Sequence, residues 1–141
     1  MSLYEGFLEV LGKYGYTIEG IKYFTLKGKA GLEKIDSAMQ KLREDSIVEF
    51  GRYKALAVRD YDSGERIEVD SGVREKISLP QSNVLYYEMK NSAWFCIRPS
   101  GTEPKIKVYF GVTGSSMNDS KEKLADLQEN VLSVIEKMLF D

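Results

Sequence analysis

Three short extended segments in the C-terminal half leave few folds open to this chain. Asn83–Lys90 and Ala93–Arg98 are rich in apolar and aromatic residues and are separated only by Asn91-Ser92, which predicts a hairpin. Lys105–Val112 follows as a partner strand, with Ile106, Val108 and Phe110 on one parity and Lys105, Lys107 and Tyr109 on the other. Ala93 to Ile97 is apolar at every position, so this strand is expected to be central and covered on both faces.

The rest of the chain supplies more strands and the helices to cover them. Leu3, Phe7, Leu8, Leu11 and Tyr14 recur at helical spacing, and Gly15 offers a stop. A helix opening at residue 3 without a cap suggests a piece of a longer protein. Tyr16 to Leu26 reads as extended, with Glu19-Gly20 as an interruption. Leu32, Ile35, Met39 and Leu42 mark a second helix. Val48 to Phe50 and Tyr53 to Tyr61 are strand candidates joined near Gly51-Arg52, and Asp62-Ser63-Gly64-Glu65 and Asp70-Ser71-Gly72 have turn chemistry. Leu124, Leu127, Val131, Ile135 and Met138 stripe a last helix, for which Asp119 and Glu122 make a capping box. The expected fold is α+β: a mostly antiparallel sheet of about four to five strands covered by helices, with helices from a neighbouring domain before it.

Charge and cysteine content exclude several classes of function. Twenty basic and 22 acidic residues give a formal net charge of −2, so no basic field speaks for nucleic acid. The chain has no histidine and a single cysteine, Cys96, which rules out an internal disulfide and a Cys/His metal site. No apolar run reaches the roughly 20 residues that cross a bilayer, and no signal-peptide core opens the sequence, so the cytoplasm is the expected location.

The chemistry concentrates in Arg98 to Tyr109, R-P-S-G-T-E-P-K-I-K-V-Y. Arg98 offers a planar fork of donors, Ser100 and Thr102 offer hydroxyls, and Gly101 lets the backbone turn at positive φ. Successive N–H groups of Ser100-Gly101-Thr102 can then face one concavity and bind an anion. Pro99 and Pro104 fix φ on either side and lower the entropy lost on closing. Both Lys105 and Lys107 lie on a face from which they can reach the loop. The same residues are also ordinary turn formers, and a turn without a ligand stands as the alternative. None of them is an obvious nucleophile or base.

The longer pattern R-P-S-G-T-E-P-x-x-K resembles the C-terminal phosphate-binding signature of the phosphoglucomutase/phosphomannomutase family, the α-D-phosphohexomutases. L-P-Q-S-N-V-L at Leu79 to Leu85 and D-Y-x-x-G at Asp60, Tyr61 and Gly64 are similar as well. The resemblance implies a phosphate grip by Arg98, Ser100, Gly101, Thr102 and Lys107, the family pattern favouring Lys107 over Lys105. It also implies that residues 1–45 are the tail of a third domain with a connecting helix, and 46–141 a C-terminal phosphate-binding domain. Such an enzyme converts glucose 1-phosphate to glucose 6-phosphate through glucose 1,6-bisphosphate, using a phosphoserine and a Mg²⁺ held by other domains. The chain has no Asp-x-Asp-x-Asp cluster, nucleophile motif or Gly-Glu sugar loop, so alone it is expected to be inactive, to contribute no catalytic or metal-binding residue, and to leave open whether glucose, mannose or glucosamine phosphate is the substrate. Its expected partners are the phosphosugar and the parent's remaining domains. A stand-alone phosphate- or nucleotide-binding module and a purely structural domain are the competing readings.

Overall fold

A computed structural model describes residues 16–140; the helix expected over Leu3 to Tyr14 lies outside them. In chain order the elements are β1 (Tyr16–Thr25), α1 (Gly28–Glu44), β2 (Glu49–Phe50), β3 (Tyr53–Lys54), β4 (Ala57–Asp60), β5 (Glu65–Glu68), β6 (Arg74–Lys76), β7 (Leu85–Glu88), β8 (Trp94–Pro99), β9 (Lys105–Gly114) and α2 (Met117–Phe140). Seven strands form one antiparallel sheet in the order β1-β9-β8-β7-β4-β5-β6, and β2-β3 is a separate ribbon.

The fold is α+β, as expected, but the sheet is larger than four to five strands. β1 supplies one added edge, pairing with β9 from Tyr16↔Gly114 to Thr25↔Lys105. It is not interrupted at Gly20, because that glycine serves packing rather than a turn. A Cβ there would stand 2.7 Å from Gln128 Nε2 and 3.2 Å from Leu124, so the missing side chain is what lets α2 lie close over the strand. At the other edge β5 and β6 form a hairpin around the expected turn, where the Gly72 N–H donates to the Glu68 carbonyl. β1 and α1, both before residue 45, thus share a sheet and a core with the rest of the described chain.

Both helices cover the same face of the sheet. α1 buries Ile35, Ala38, Met39 and Leu42, α2 buries Leu127, Val131, Ile135 and Leu139, and beneath them lie Leu85, Tyr87, Phe95, Ile97, Ile106, Val108 and Phe110. Phe50, carried by the β2–β3 ribbon, packs edge-on against the stacked pair Tyr87 and Phe95, with centroids at 5.0 and 4.8 Å. Arg52 and Tyr53 hold that ribbon to Asp126 of α2, and the Arg52 N–H donates 3.1 Å to Asn130 Oδ1.

β8 is interior to the sheet, but the described residues cover it on one face only. Phe95 and Ile97 are fully buried, whereas Trp94 and Cys96 on the other parity are half-exposed and Arg98 is exposed. Apolar continuity misleads here because an antiparallel sheet with its helices on one side needs only one dry face. Trp94 finds shelter within the open face instead: it stacks on Tyr86 at 5.4 Å and lies across Gly111, where any Cβ would collide with the indole.

The cap of α2 falls one turn earlier than expected. Ser116 Oγ accepts from the Asp119 N–H at 3.0 Å, and the Asp119 carboxylate accepts from the Ser115 N–H at 2.8 Å. Asp119 therefore reaches back to the residue before the cap rather than serving as the cap itself with Glu122. Lys123, one turn on, pairs with it at 3.1 Å.

Candidate functional site

Arg98 ends β8 on the face the helices leave open, since Phe95 and Ile97 take the covered parity. The β8–β9 register sets Arg98 directly opposite Lys107, and the β1–β9 register sets Tyr23 opposite Lys107 on its other side. Tyr23, Lys107 and Arg98 thus form one row across three strands, on one face of the sheet. Lys105, which the sequence left as an alternative to Lys107, lies over the end of that row: its Nζ is 4.1 Å from the centroid of the Tyr23 ring.

The connection from β8 to β9 is a tight, exposed loop with its own hydrogen bonds. The Ser100 N–H donates to the Lys105 carbonyl at 2.9 Å, the Lys105 N–H to the Glu103 carbonyl at 2.7 Å, and the Glu103 N–H reaches Ser100 Oγ at 3.4 Å. The Leu26 N–H donates to the Pro104 carbonyl at 2.7 Å and fixes the loop's far end to the approach to α1. Gly101 sits at φ +89, the positive value expected of it. The backbone donors divide accordingly. The Ser100 N–H closes the loop, while those of Gly101 and Thr102 have no acceptor among the described residues.

The charges around this loop are unbalanced. Of the six arginines, Arg43, Arg52, Arg59, Arg66 and Arg74 each pair with a carboxylate. Among the described residues Arg98 alone of the six has none, and Lys107 beside it has none either. Like charges directly opposite on paired strands repel, so the pair is an unfavourable arrangement until an anion sits between. The Cys96 thiol, on the same face, is pushed up by burial, against smaller downward pulls from a Tyr109 backbone hydrogen bond and the Arg98 charge. It therefore stays protonated and is a poor nucleophile at neutral pH.

A cleft away from this loop holds no cation free of a carboxylate among the described residues. About 330 Å³ opens on the helix-covered face between Leu42, Val58, Ile67, Leu85 and Tyr87. Its Arg43 is held by Asp60, whose carboxylate oxygens both lie 3.2 Å from Nε. Among the described residues no group of His, Cys, Asp and Glu could hold a metal ion, and no helix is long and apolar enough to cross a membrane.

Residues 24–133 match the family model for the phosphoglucomutase/phosphomannomutase C-terminal domain. The chain belongs to this family. A phosphoglucomutase of Staphylococcus saprophyticus is 35% identical over 108 residues, covering 72% of this chain and 19% of that protein. Staphylococcus epidermidis and Staphylococcus aureus phosphoglucomutases are 30% and 34% identical over 102 and 100 residues, covering 72% and 71% of the chain and 18% of each relative. The chain thus spans less than a fifth of these phosphoglucomutases. In fold it is similar to the open-form crystal structure of the Paramecium exocytosis-sensitive phosphoprotein pp63/parafusin, a phosphoglucomutase, with a TM-score of 0.50 at 13% identity over 97% of this chain and 23% of that one.

In this phosphoglucomutase/phosphomannomutase C-terminal domain, the sequence singles out the Arg98 loop as a candidate and gives no sign of the row beside it. Tyr23 lies about eighty positions upstream of Lys107, and only the β1–β9 register brings them together. The period-two pattern of β1 puts Tyr23 on the parity of Glu19 and Ile21, but no local signal names its cross-strand partner. The Arg59–Glu88–Arg66 cluster was missed for the same reason; Arg66 Nε and Arg59 Nε both donate to Glu88 Oε2, at 2.7 and 2.9 Å.

Proposed function

We propose that this chain is the phosphate-holding C-terminal part of a phosphohexomutase that interconverts glucose 1-phosphate and glucose 6-phosphate in the cytoplasm. The loop Arg98 to Pro104 with Lys107 grips the phosphate that is not reacting. One observation carries the reading: among the described residues Arg98 and Lys107 face each other without a counter-ion, beside N–H groups of Gly101 and Thr102 that have no acceptor there. A phosphate dianion supplies what this cluster lacks. It offers the guanidinium a bidentate partner, gives the ammonium a charge, and accepts from two amides and the Ser100 and Thr102 hydroxyls.

The chain's contribution to the reaction is binding and orientation. A grip remote from the breaking bond fixes the reacting end and can be used to stabilise the transition state. Because the bisphosphate intermediate turns round, one loop must accept a phosphate from either end of the sugar, which favours donors aimed at the phosphate alone. The phosphoryl donor and any Mg²⁺ would come from the parent's other domains.

The test is a titration of the 141-residue chain with glucose 6-phosphate followed by amide shifts. Charge-assisted hydrogen bonds contribute about 1.5–3 kcal/mol each, but association costs on the order of 4–15 kcal/mol, so the expected Kd is ~1 mM or weaker. Shifts should begin at Arg98 to Thr102 and Lys107. Shifts centred on the Asp60 turn, or none at tens of millimolar, would remove the reading and leave a structural loop.

A further inference from the structure

We propose that Tyr23 is a sugar-contacting residue of this site, its ring packing against the hexose whose phosphate Arg98 and Lys107 hold. The proposal rests on the phosphosugar reading and adds a residue from a different strand. Three observations lead to it. Tyr23 stands directly across from Lys107, which stands directly across from Arg98, so the three share one row on the open face. Neighbouring strands lie about 4.8 Å apart, so a phosphate held between Arg98 and Lys107 brings its ester oxygen and first carbons within about one strand spacing of Tyr23. Tyr23 is also 59% exposed, although it is a large aromatic on a long strand, and its strand is the sheet edge.

The ring is held in place without being buried. Lys105 Nζ rests 4.1 Å from its centroid. That contact restrains Tyr23 from one side and sets the Lys105 ammonium over the ring, while Lys107 stands between Tyr23 and Arg98 in the row. A pyranose presents C–H groups with partial positive charge, which suit the electron-rich face of a phenol ring. The opposite flank offers no equivalent: before Leu85, which pairs with Ile97, stands the aliphatic Val84. A sugar leaving the phosphate toward β1 therefore gains an aromatic surface that one leaving toward β7 does not.

The 141-residue chain tests this with two probes, inorganic phosphate and glucose 6-phosphate, titrated into wild type, Tyr23→Phe, Tyr23→Ala and Arg98→Ala. Tyr23→Ala should weaken glucose 6-phosphate about 3- to 10-fold, the scale of one aromatic contact, and leave inorganic phosphate within about twofold. Tyr23→Phe should match wild type for both. Three outcomes overturn the proposal: Tyr23→Ala binding glucose 6-phosphate as well as wild type, Tyr23→Ala losing both probes equally, or Tyr23→Phe losing as much as alanine. If Arg98→Ala instead keeps both probes, the underlying phosphate reading fails, and that failure is distinct from the other three.

Discussion

Arg98 and Lys107 stand directly opposite each other on β8 and β9 with no carboxylate against either among the described residues. The contrast with the rest of the open face is sharp. Arg59 and Arg66 share Glu88, and Arg66 also lies within 3.6 Å of Glu68 and 3.8 Å of Glu75. The same sheet therefore neutralises its cations at β4 and β5 and leaves them unpaired at the β8–β9 end.

That arrangement predicts a separation of stability from binding. Arg98→Ala removes a repulsion and no packed surface, so the free chain should unfold in urea within about 0.5 kcal/mol of wild type, on either side. Added inorganic phosphate should raise the Tm of wild type by mass action and leave that of Arg98→Ala nearly unmoved. Equal phosphate stabilisation of both proteins would show the anion binding elsewhere.

Glu88 gives a pH signature. Hydrogen bonding from Arg66, opposed by burial and reinforced by Arg59, holds its carboxyl below the ordinary value of 4.5. A depressed folded pKa means that the stabilisation is complete above the unfolded value and is lost as pH falls through the folded one. Glu88→Gln should therefore cost about 1–2 kcal/mol at pH 7, a figure reduced for partial exposure, and the gap to wild type should narrow as pH falls below the ordinary value of 4.5 toward the depressed folded one. Urea midpoints measured from pH 7 to pH 3 check this. A gap that stays constant down to pH 3 would mean that the charge on Glu88 is not what the arginines need.

How much was legible in the sequence depended on whether the signal was local. The hairpin at Asn91-Ser92 was legible because both residues take positive φ, 59 and 62, a demand that Asn meets readily. The turn at Gly101 was legible because its residues are contiguous and Gly101 takes the positive φ expected of it. What failed was the second face of β8, where Trp94 and Cys96 look like core but are sheltered by Tyr86 and Gly111 from other strands. The capping box failed because Ser116 and Asp119 satisfy the same pattern as Asp119 and Glu122, and only the start of the helix at Met117 chooses between them.

Gly101 is a position where backbone freedom matters and space does not. A Cβ there meets nothing within 4 Å, but φ is +89. Gly101→Ala should strain the loop by about 1–2 kcal/mol, and an exposed loop can relax to avoid it. The expected result is weaker phosphate binding with nearly unchanged global unfolding. Heteronuclear spectra should show altered shifts confined to Pro99 to Lys107. Changes spreading through β8 into the core would show that the loop conformation is tied to the sheet more tightly than its exposure indicates.

The most direct prediction concerns Arg98 in the full-length parent. If its fork holds two phosphate oxygens, Arg98→Lys keeps the charge and loses the bidentate geometry, while Arg98→Ala loses both. The contact is remote from the reacting bond, so uniform binding would raise KM alone and binding used for orientation would lower kcat as well. The second outcome is expected, because the bisphosphate must be held correctly in both orientations before turnover can finish. A loss of about 10- to 100-fold in kcat/KM for alanine corresponds to about 1.4–2.8 kcal/mol, the range for one charge-assisted contact. Lysine should fall between alanine and wild type. Ser100→Ala should cost less than Arg98→Ala, since a neutral hydroxyl is the weaker donor and its backbone N–H is already committed to Lys105. The 141-residue chain alone should show no turnover in a coupled assay with glucose 1-phosphate, Mg²⁺ and glucose 1,6-bisphosphate. If Arg98→Ala leaves kcat/KM unchanged in a folded parent, the loop is only a turn, and the charges opposite each other at Arg98 and Lys107 serve no phosphate.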